Sequence, residues 1–114
     1  MMRPPEIKDD PMYQLLREEK IAEFNERRAN GEACDLRHAD LRGLDLRGLE
    51  AKSLNMIGCY FRQADLRGIN FSSTNLEQAS ICGANISGAY FPHALTADEI
   101  SLSQQHGTCM RYKK

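Results

Sequence analysis

Apolar and polar residues recur with a period of five from Cys34 to His93, and the pattern runs through twelve repeats without an insertion. The third residue of every repeat is apolar, and the first is apolar in all repeats except the one that begins with Thr74. The second residue is Asp, Glu, Asn or Ser in ten repeats, and the fifth is Gly in six. A fixed repeat of this kind decides the architecture of a chain before any single helix or strand is considered.

The alternation inside each repeat is that of a short β-strand, with positions one and three apolar and position two polar. Because five is odd and side chains alternate with a period of two, a straight strand would reverse its apolar face at every repeat. The apolar residues stay on one side only if the chain turns a corner once per repeat, and Gly at position five suits such a corner. Right-angle corners would close one coil after about four repeats, but the pattern itself leaves the angle open.

Several repeats resemble the motif of the pentapeptide-repeat family, which is a small residue, then Asp or Asn, then Leu or Phe, then two variable positions. The matching repeats read ADLRG at 39–43 and 64–68, TNLEQ at 74–78 and ANISG at 84–88. The resemblance implies an all-β solenoid, a right-handed quadrilateral β-helix with four repeats per coil. Residues 34–93 are therefore expected to form about three coils.

The segment before the repeat is predicted to contain a helix from Pro11 to about Asn30. Asp10 suits the cap of that helix, Pro11 its first position, and Gly31 the residue after its end. The helix would cover the first coil, because a repeat stack exposes its core and strand edges at each end. Residues 1–9 are expected to be loose. The rival interpretation is a helix that docks on another protein.

The segment after the repeat is predicted to contain a short helix that ends near Gly107. Thr96 and Glu99 have the spacing of a capping box, and Leu95 and Ile100 that of a hydrophobic staple. This helix would cover the last coil, and residues 108–114 are expected to be mobile. The chain thus divides into a flexible N-terminus with a capping helix at 1–33, the β-helix at 34–93, and a C-terminal helix and tail at 94–114.

Composition adds few constraints. The formal net charge is −1, so no global charge attracts nucleic acid or an anionic membrane. No apolar run approaches the ~18 residues of a membrane span, and the N-terminal MMRPPEIKDDP lacks an apolar signal core. We therefore expect a cytoplasmic protein without membrane association. Its four cysteines have no zinc-type spacing and are expected to be reduced structural thiols.

Outward-facing residues are where a binding site would appear, and the fourth positions of the first seven repeats are mostly basic. They are Arg37, Arg42, Arg47, Lys52, Arg62 and Arg67. Acidic residues at the second positions lie beside them, so the preferred interpretation is that Asp and Arg pair with each other at the surface. The alternative is a basic patch that binds an acidic partner or a phosphate backbone. Nucleic acid is the less favoured ligand, because few aromatic residues accompany the arginines.

Three outward positions carry apolar or aromatic residues instead of the polar residues of the motif. They are Ile57, Tyr60 and Tyr90. We predict that they contribute to an interface, although isolated apolar residues are also common on ordinary protein surfaces.

No motif for catalysis, a cofactor or a metal is present. The three histidines have no Ser, Cys or Asp partner in a motif, and no phosphate-binding loop, dinucleotide fingerprint or HExxH occurs. We expect a non-enzymatic protein-interaction or scaffold module that binds an unknown protein partner. The resemblance also implies a homodimer formed through the C-terminal end.

A second implication of the resemblance is a DNA mimic that binds a topoisomerase, as some members of the family do with a long acidic rod. Three coils give a rod of only about 14 Å, and the repeat holds six acidic and six basic residues. Both features disfavour DNA mimicry. Binding of nucleic acid or of an acidic partner through the basic patch remains the other alternative.

Overall fold

The repeat region forms a β-solenoid in which residues twenty apart in sequence lie side by side. The computed structural model of the chain describes residues 3–113. Parallel bridges join Asp40 with Tyr60, Asp45 with Asp65, Asn55 with Asn75, Tyr60 with Ser80, Asp65 with Asn85 and Asn70 with Tyr90. Residues 34–53, 54–73 and 74–93 therefore make three stacked coils, which we call coils one, two and three.

The short strands that the alternation predicts are not present as strands in residues 3–113, where the pairing consists of isolated bridges. The reason is the length of each side of the coil. The fourth and fifth residues of nearly every repeat form a turn, so one second-position residue pairs before the chain changes direction. The fifth residue has a positive φ in ten repeats, six times as Gly and four times as His38, Ser53, Gln63 or Gln78. This confirms that the corner lies at position five.

The first and third residues of the repeats fill the interior of the solenoid. All of them are buried except Cys34, Ile86, Ala89 and Phe91, which lie at the two ends of the stack and are half-buried. The rings of Phe71 and Phe91 stack with centroids 5.9 Å apart, as expected for residues twenty apart. Thr74, the one polar inward residue, donates a 2.7 Å hydrogen bond to the carbonyl of Ala51 and so leaves no buried hydroxyl unpaired.

The N-terminal cap consists of two helices, α1 (Pro11–Arg17) and α2 (Ile21–Ala29), where one continuous helix was predicted. The break follows a Schellman motif: the amides of Glu19 and Lys20 donate to the carbonyls of Leu16 and Leu15, and Glu19 has a φ of 59°. A continuous helix of twenty residues would be about 30 Å long, whereas the two shorter dimensions of the molecule are 26 and 24 Å. The break lets both helices lie over one end of the solenoid.

Apolar residues of both helices pack on coil one. Met12, Tyr13, Leu15, Leu16 and Phe24 are buried in the same cluster as the inward residues of the repeat. The Asp10 carboxylate accepts a 2.8 Å hydrogen bond from the amide of Met12, which confirms Asp10 as the cap of α1.

The N-terminal cap also forms hydrogen bonds with the upper edge of coil one, which is the edge that faces away from coil two. The second-position amides of its four repeats donate to Asp10, to the carbonyl of Glu6, to Glu19 and to Asn25, in that order. The expectation of a loose segment at residues 1–9 is corrected for Glu6, which forms a parallel bridge with Ala39. Met1 and Met2 lie outside the described residues. Backbone pairing extends beyond the repeat because an unpaired edge would leave polar groups without partners.

Helix α3 (Ala97–His106) lies under coil three, close to the predicted bounds. Thr96 caps it by accepting from the amide of Glu99, and Gly107 ends it with a φ of 75°. The predicted capping box is only half formed, because the Glu99 carboxylate accepts from the amide of Arg111 at 2.8 Å. The amide of Gly83 donates to the carbonyl of Gln104, and the amide of Ile81 donates to the hydroxyl of Ser103. Helix α3 therefore satisfies the backbone amides on one face of the lower edge, which is the edge of coil three that faces away from coil two.

The C-terminal tail is attached to the solenoid, which corrects the prediction of a mobile segment for residues 108–113. Met110 is buried, its carbonyl accepts from the amide of Gln78 at 2.7 Å, and its amide donates to Ala79 at 2.9 Å. The Tyr112 hydroxyl accepts from the amide of Leu76 at 2.8 Å. Lys114 lies outside the described residues.

Helix α3 and the C-terminal tail therefore cover the lower edge of coil three on two faces of the solenoid and leave it uncovered on the other two. Within the part of the chain that the structure describes, the amides of Ile86, Gly88, Phe91 and His93 donate no hydrogen bond. The half-buried core residues of coil three lie on these same two faces.

Candidate functional site

Acidic second-position residues and basic fourth-position residues of the same repeat form ion pairs on the outside of the solenoid. The pairs are Asp35–Arg37 at 3.0 Å, Asp40–Arg42 at 2.8 Å, Asp45–Arg47 at 2.8 Å and Asp65–Arg67 at 2.6 Å. Four of the six predicted basic residues are thus neutralised by a carboxylate two positions away.

The second-position side chain also has a structural role in the turn. In each of these repeats its Oδ1 accepts from the backbone amide of the fourth residue, at 3.1 to 3.2 Å. Asn performs the same function in repeats without a charge, as Asn55 does for the amide of Ile57. This bond from a side chain to the backbone two residues later is the Asx turn, which explains the preference for Asp and Asn at position two.

Arg47 and Arg67 form a closed network with their carboxylates on one face. Arg47 contacts Asp65 of the next coil at 3.4 Å as well as Asp45 of its own repeat. The hydrogen bond from Arg47 is the main reason that the pKa of Asp45 falls to about 2. A face in which each guanidinium already holds a carboxylate offers little net charge to a ligand.

Arg62 and Lys52 differ from the other basic residues. Neither forms an ion pair with any residue between 3 and 113. For Arg62 the sequence supplies the reason, since Tyr60 occupies the second position where the other arginine repeats have Asp. Arg62 is therefore an exposed cation whose charge is not balanced locally.

Arg62 lies in a shallow depression together with Arg17 of α1 and Arg42. We call this depression the arginine hollow; it has a volume of about 380 Å³ and is lined by Arg17, Asp40, Arg42, Gly43, Arg62 and Gln63. Both oxygens of the Asp40 carboxylate accept from Arg42 at 2.8 Å, which lowers the pKa of Asp40. The hollow thus contains three guanidinium groups and one carboxylate, so it carries a net positive charge.

Helix α1 determines the position of Arg17. The buried hydroxyl of Tyr13 donates to the carbonyl of Asp40 at 2.7 Å, and Arg17 Nη1 donates to the same carbonyl at 3.4 Å. Arg17 was not predicted as a site residue. The spacing of four between Tyr13 and Arg17 puts them on one helix face, but only the docking of α1 brings that face to Asp40.

The structure brings some predicted site residues together and separates others. Arg42 and Arg62 share the hollow, and Arg47 and Arg67 share Asp65. Arg37 and Lys52 belong to other faces. Ile57 and Tyr60 are half-buried, whereas Tyr90 is 66% exposed at the bottom of the face opposite Tyr60. The aromatic residues therefore do not form one patch with each other or with the hollow.

Neither a metal-binding group nor a membrane span is found in residues 3–113. The described His, Cys, Asp and Glu residues form no group of three or more that could hold a metal ion. No helix there has the length and apolar character needed to cross a membrane.

Comparison with known proteins agrees with the repeat geometry. Residues 59–95 match the family model described as pentapeptide repeats, in eight copies. Neither the curated proteins nor the solved structures gave a significant match. The chain therefore contains pentapeptide repeats, in agreement with its five-residue period and twenty-residue coils.

Proposed function

We propose that this protein is a non-enzymatic protein-interaction module that binds an acidic segment of a partner protein in the arginine hollow. The observation that carries the proposal is the convergence of Arg17, Arg42 and Arg62 around the single carboxylate of Asp40. Because Arg42 already occupies both oxygens of Asp40, the guanidinium groups of Arg17 and Arg62 are available to a ligand. A guanidinium group offers a planar pair of donors that matches a carboxylate.

An acidic peptide fits this surface better than a nucleic acid does. The neighbouring face, with Arg47 and Arg67, is neutralised by its own aspartates, so no continuous basic track runs along the solenoid. Binding to a phosphate backbone draws on several cations in a row. The hollow supplies one local group of three cations, which suits one or two carboxylates.

Titration with a hexaglutamate peptide tests the proposal, with amide chemical shifts as the readout. We expect saturable shifts centred on Gly43 and Gln63, which line the hollow. Arg62→Gln should abolish them, whereas Arg67→Gln, which changes an exposed arginine outside the hollow, should leave them unchanged. Shifts that stay the same in Arg62→Gln would overturn the proposal.

The solenoid would serve as a rigid scaffold for this hollow. We infer a right-handed quadrilateral β-helix of three coils, supported by the twenty-residue spacing of the bridges and one corner per repeat. An experimental structure checks the hand of the coils. The four free thiols favour a reducing compartment such as the cytoplasm. Localisation of a fluorescent fusion tests that assignment.

A second candidate function is self-association through the uncovered faces of coil three. The amides of Ile86 and Phe91 donate no hydrogen bond within the described residues, and the side chains of both are only half-buried. Tyr90 and Leu102 add exposed apolar surface at the same end, with 66% and 43% of their area accessible. A second copy of the chain, related by a twofold axis, would cover both the unpaired edge and the apolar residues.

Sedimentation of matched variants tests self-association. Tyr90→Asp should shift a dimer to a monomer, whereas Ile7→Asp, at an equally exposed residue (66%) near the other end, should not. A wild-type protein that is monomeric at all accessible concentrations would exclude this candidate.

A further inference from the structure

A second concave site lies on the face of the solenoid that both chain ends extend. Glu6 pairs above coil one and Met110 pairs below coil three, so this face has five successive levels of backbone pairing. The levels are Glu6, Asp40, Tyr60, Ser80 and Met110. Arg3 and Arg111 lie a few residues from the two outer levels and both reach a groove that contains Tyr60.

The groove, which we call the terminal groove, has a volume of about 340 Å³. Its walls are Arg3, His38, Tyr60, Gln78, Cys109 and Arg111. Cavities that bind small molecules in proteins start at about 300 Å³, so the terminal groove is large enough for a compact ligand.

Gly58 makes the floor of the terminal groove. Its φ is 68°, and a Cβ at this position would lie 2.1 Å from Nδ1 of His38. The imidazole of His38 can therefore lie against the coil only because residue 58 has no side chain. Burial lowers the pKa of His38, so the ring is neutral at neutral pH and can both donate and accept a hydrogen bond.

The walls carry positive charge without a carboxylate among them. Arg3 pairs with Glu6, but Lys8 contacts the same carboxylate at 3.2 Å, so two cations share it. Arg111 is 81% exposed and its guanidinium lies 3.6 Å from Glu99, whose other oxygen already accepts from a backbone amide. Both guanidinium groups therefore retain donors that can reach a ligand.

We propose that the terminal groove binds a small ligand that carries phosphate or carboxylate groups, held between Arg3 and Arg111 and against the ring of Tyr60. The guanidinium groups would supply charge-assisted hydrogen bonds, and the side chains of His38 and Gln78 neutral ones. Tyr60 would provide an apolar wall. Its substitution for the usual Asp or Asn of the motif keeps a carboxylate out of the groove. This site is separate from the arginine hollow, which shares no residue with it.

Two probes distinguish the two ligand chemistries. One sample is titrated with inorganic phosphate and the other with succinate, and the shifts of the Tyr60 ring and the Gly58 amide are followed by NMR. Saturable shifts with phosphate alone assign a phosphate ligand, and saturable shifts with succinate alone assign a dicarboxylate. Either result, or both, supports the proposal. No saturable shift at Tyr60 and Gly58 with either probe overturns it.

A matched pair of substitutions separates this site from the arginine hollow. Gln78 and Gln63 are both exposed fifth-position residues with a positive φ, of 65° and 58°, and each lines one of the two sites. Gln78→Glu adds a carboxylate to the terminal groove and should abolish the response to the anions. Gln63→Glu should leave that response unchanged and should weaken hexaglutamate binding in the arginine hollow. Identical anion binding in wild type and Gln78→Glu would overturn the proposal.

Arg111→Gln gives an independent check, since so exposed a side chain makes no core contact. We expect anion affinity to fall by about tenfold or more, as for the loss of one charge-assisted hydrogen bond. Wild-type affinity in this variant would exclude Arg111 as a ligand contact and overturn the proposal. Circular dichroism of each variant verifies that the fold is retained.

Discussion

The buried hydroxyl of Tyr13 donates a 2.7 Å hydrogen bond to the backbone carbonyl of Asp40 and thereby joins α1 to the second repeat of the solenoid. The carboxylate of the same Asp40 holds Arg42, and its carbonyl also accepts from Arg17. One residue of the repeat thus connects the N-terminal cap to the arginine hollow. A change in the docking of α1 is expected to affect stability and binding together.

Tyr13→Phe should therefore lower the free energy of unfolding by about 1 kcal/mol or more, because it leaves the carbonyl of Asp40 with only the long bond from Arg17. Urea denaturation measures the change. Tyr90→Phe is the control, since Tyr90 is 66% exposed and should change stability by less than about 0.5 kcal/mol. Equal stability of the two variants would mean that the Tyr13 hydroxyl contributes nothing to docking.

Gly58→Ala should be more destabilising than Gly68→Ala. Both residues have a positive φ, of 68° and 73°, so both substitutions should cost about 1–2 kcal/mol in backbone strain. Only at Gly58 would the new Cβ collide with His38, whereas nothing lies within 4 Å of the Cβ position at Gly68.

A double-mutant cycle isolates that collision. Adding His38→Ala to Gly58→Ala should recover the additional stability that Gly58→Ala loses through the collision. Adding His38→Ala to Gly68→Ala should recover no stability. Additive effects in both pairs would show that His38 does not occupy the space over Gly58. Urea denaturation of all the variants provides the free energies.

Thr74→Val should destabilise the protein by about 1 kcal/mol, the net contribution of one hydrogen bond, although it makes the inward row entirely apolar. The buried hydroxyl of Thr74 donates to the carbonyl of Ala51 at 2.7 Å, and Val would leave that carbonyl with only the 3.1 Å bond from the amide of Leu54. Thr74→Ser keeps the donor and should lose only the stability of one methyl group, about 1 kcal/mol. A Val variant as stable as the wild type in thermal or urea unfolding would contradict this role of the hydroxyl.

Arg47→Gln should raise the pKa of Asp45 from about 2 towards the ordinary value of about 3.9. In the wild type the pKa of Asp45 is lower in the folded state than in the unfolded state. The pairing therefore stabilises the fold above about pH 4, and this contribution is lost as the pH falls towards 2. The variant should lose less stability over that interval.

NMR titration of the aspartate carboxyl carbons measures this change and contains its own control. Asp35 has a pKa of about 2 for the same reason, a hydrogen bond from Arg37, and should be unaffected by the change at Arg47. An unchanged pKa of Asp45 in the variant would show that Arg47 is not its main partner.

The sequence by itself determined the solenoid. A period of five with apolar first and third residues permits one buried face only if the chain turns at every repeat, and this constraint is local and repeated twelve times. The cap of α1 at Asp10 and the start and end of α3 are also local signals, carried by a few adjacent residues. For the same reason the pairing of Asp with Arg two residues later follows from the repeat, since both lie on one turn.

Only the tertiary structure decided how the ends cover the stack and which charges remain free. The break at Glu19, the pairing of Glu6 and the anchoring of Met110 depend on edges that exist only after the coils have stacked. Arg17 joins Arg62 because α1 docks on Asp40, and Arg3 approaches Arg111 because both termini extend the same face. These contacts join residues far apart in sequence, and their free energy comes from burying edges and apolar surface that no local pattern encodes.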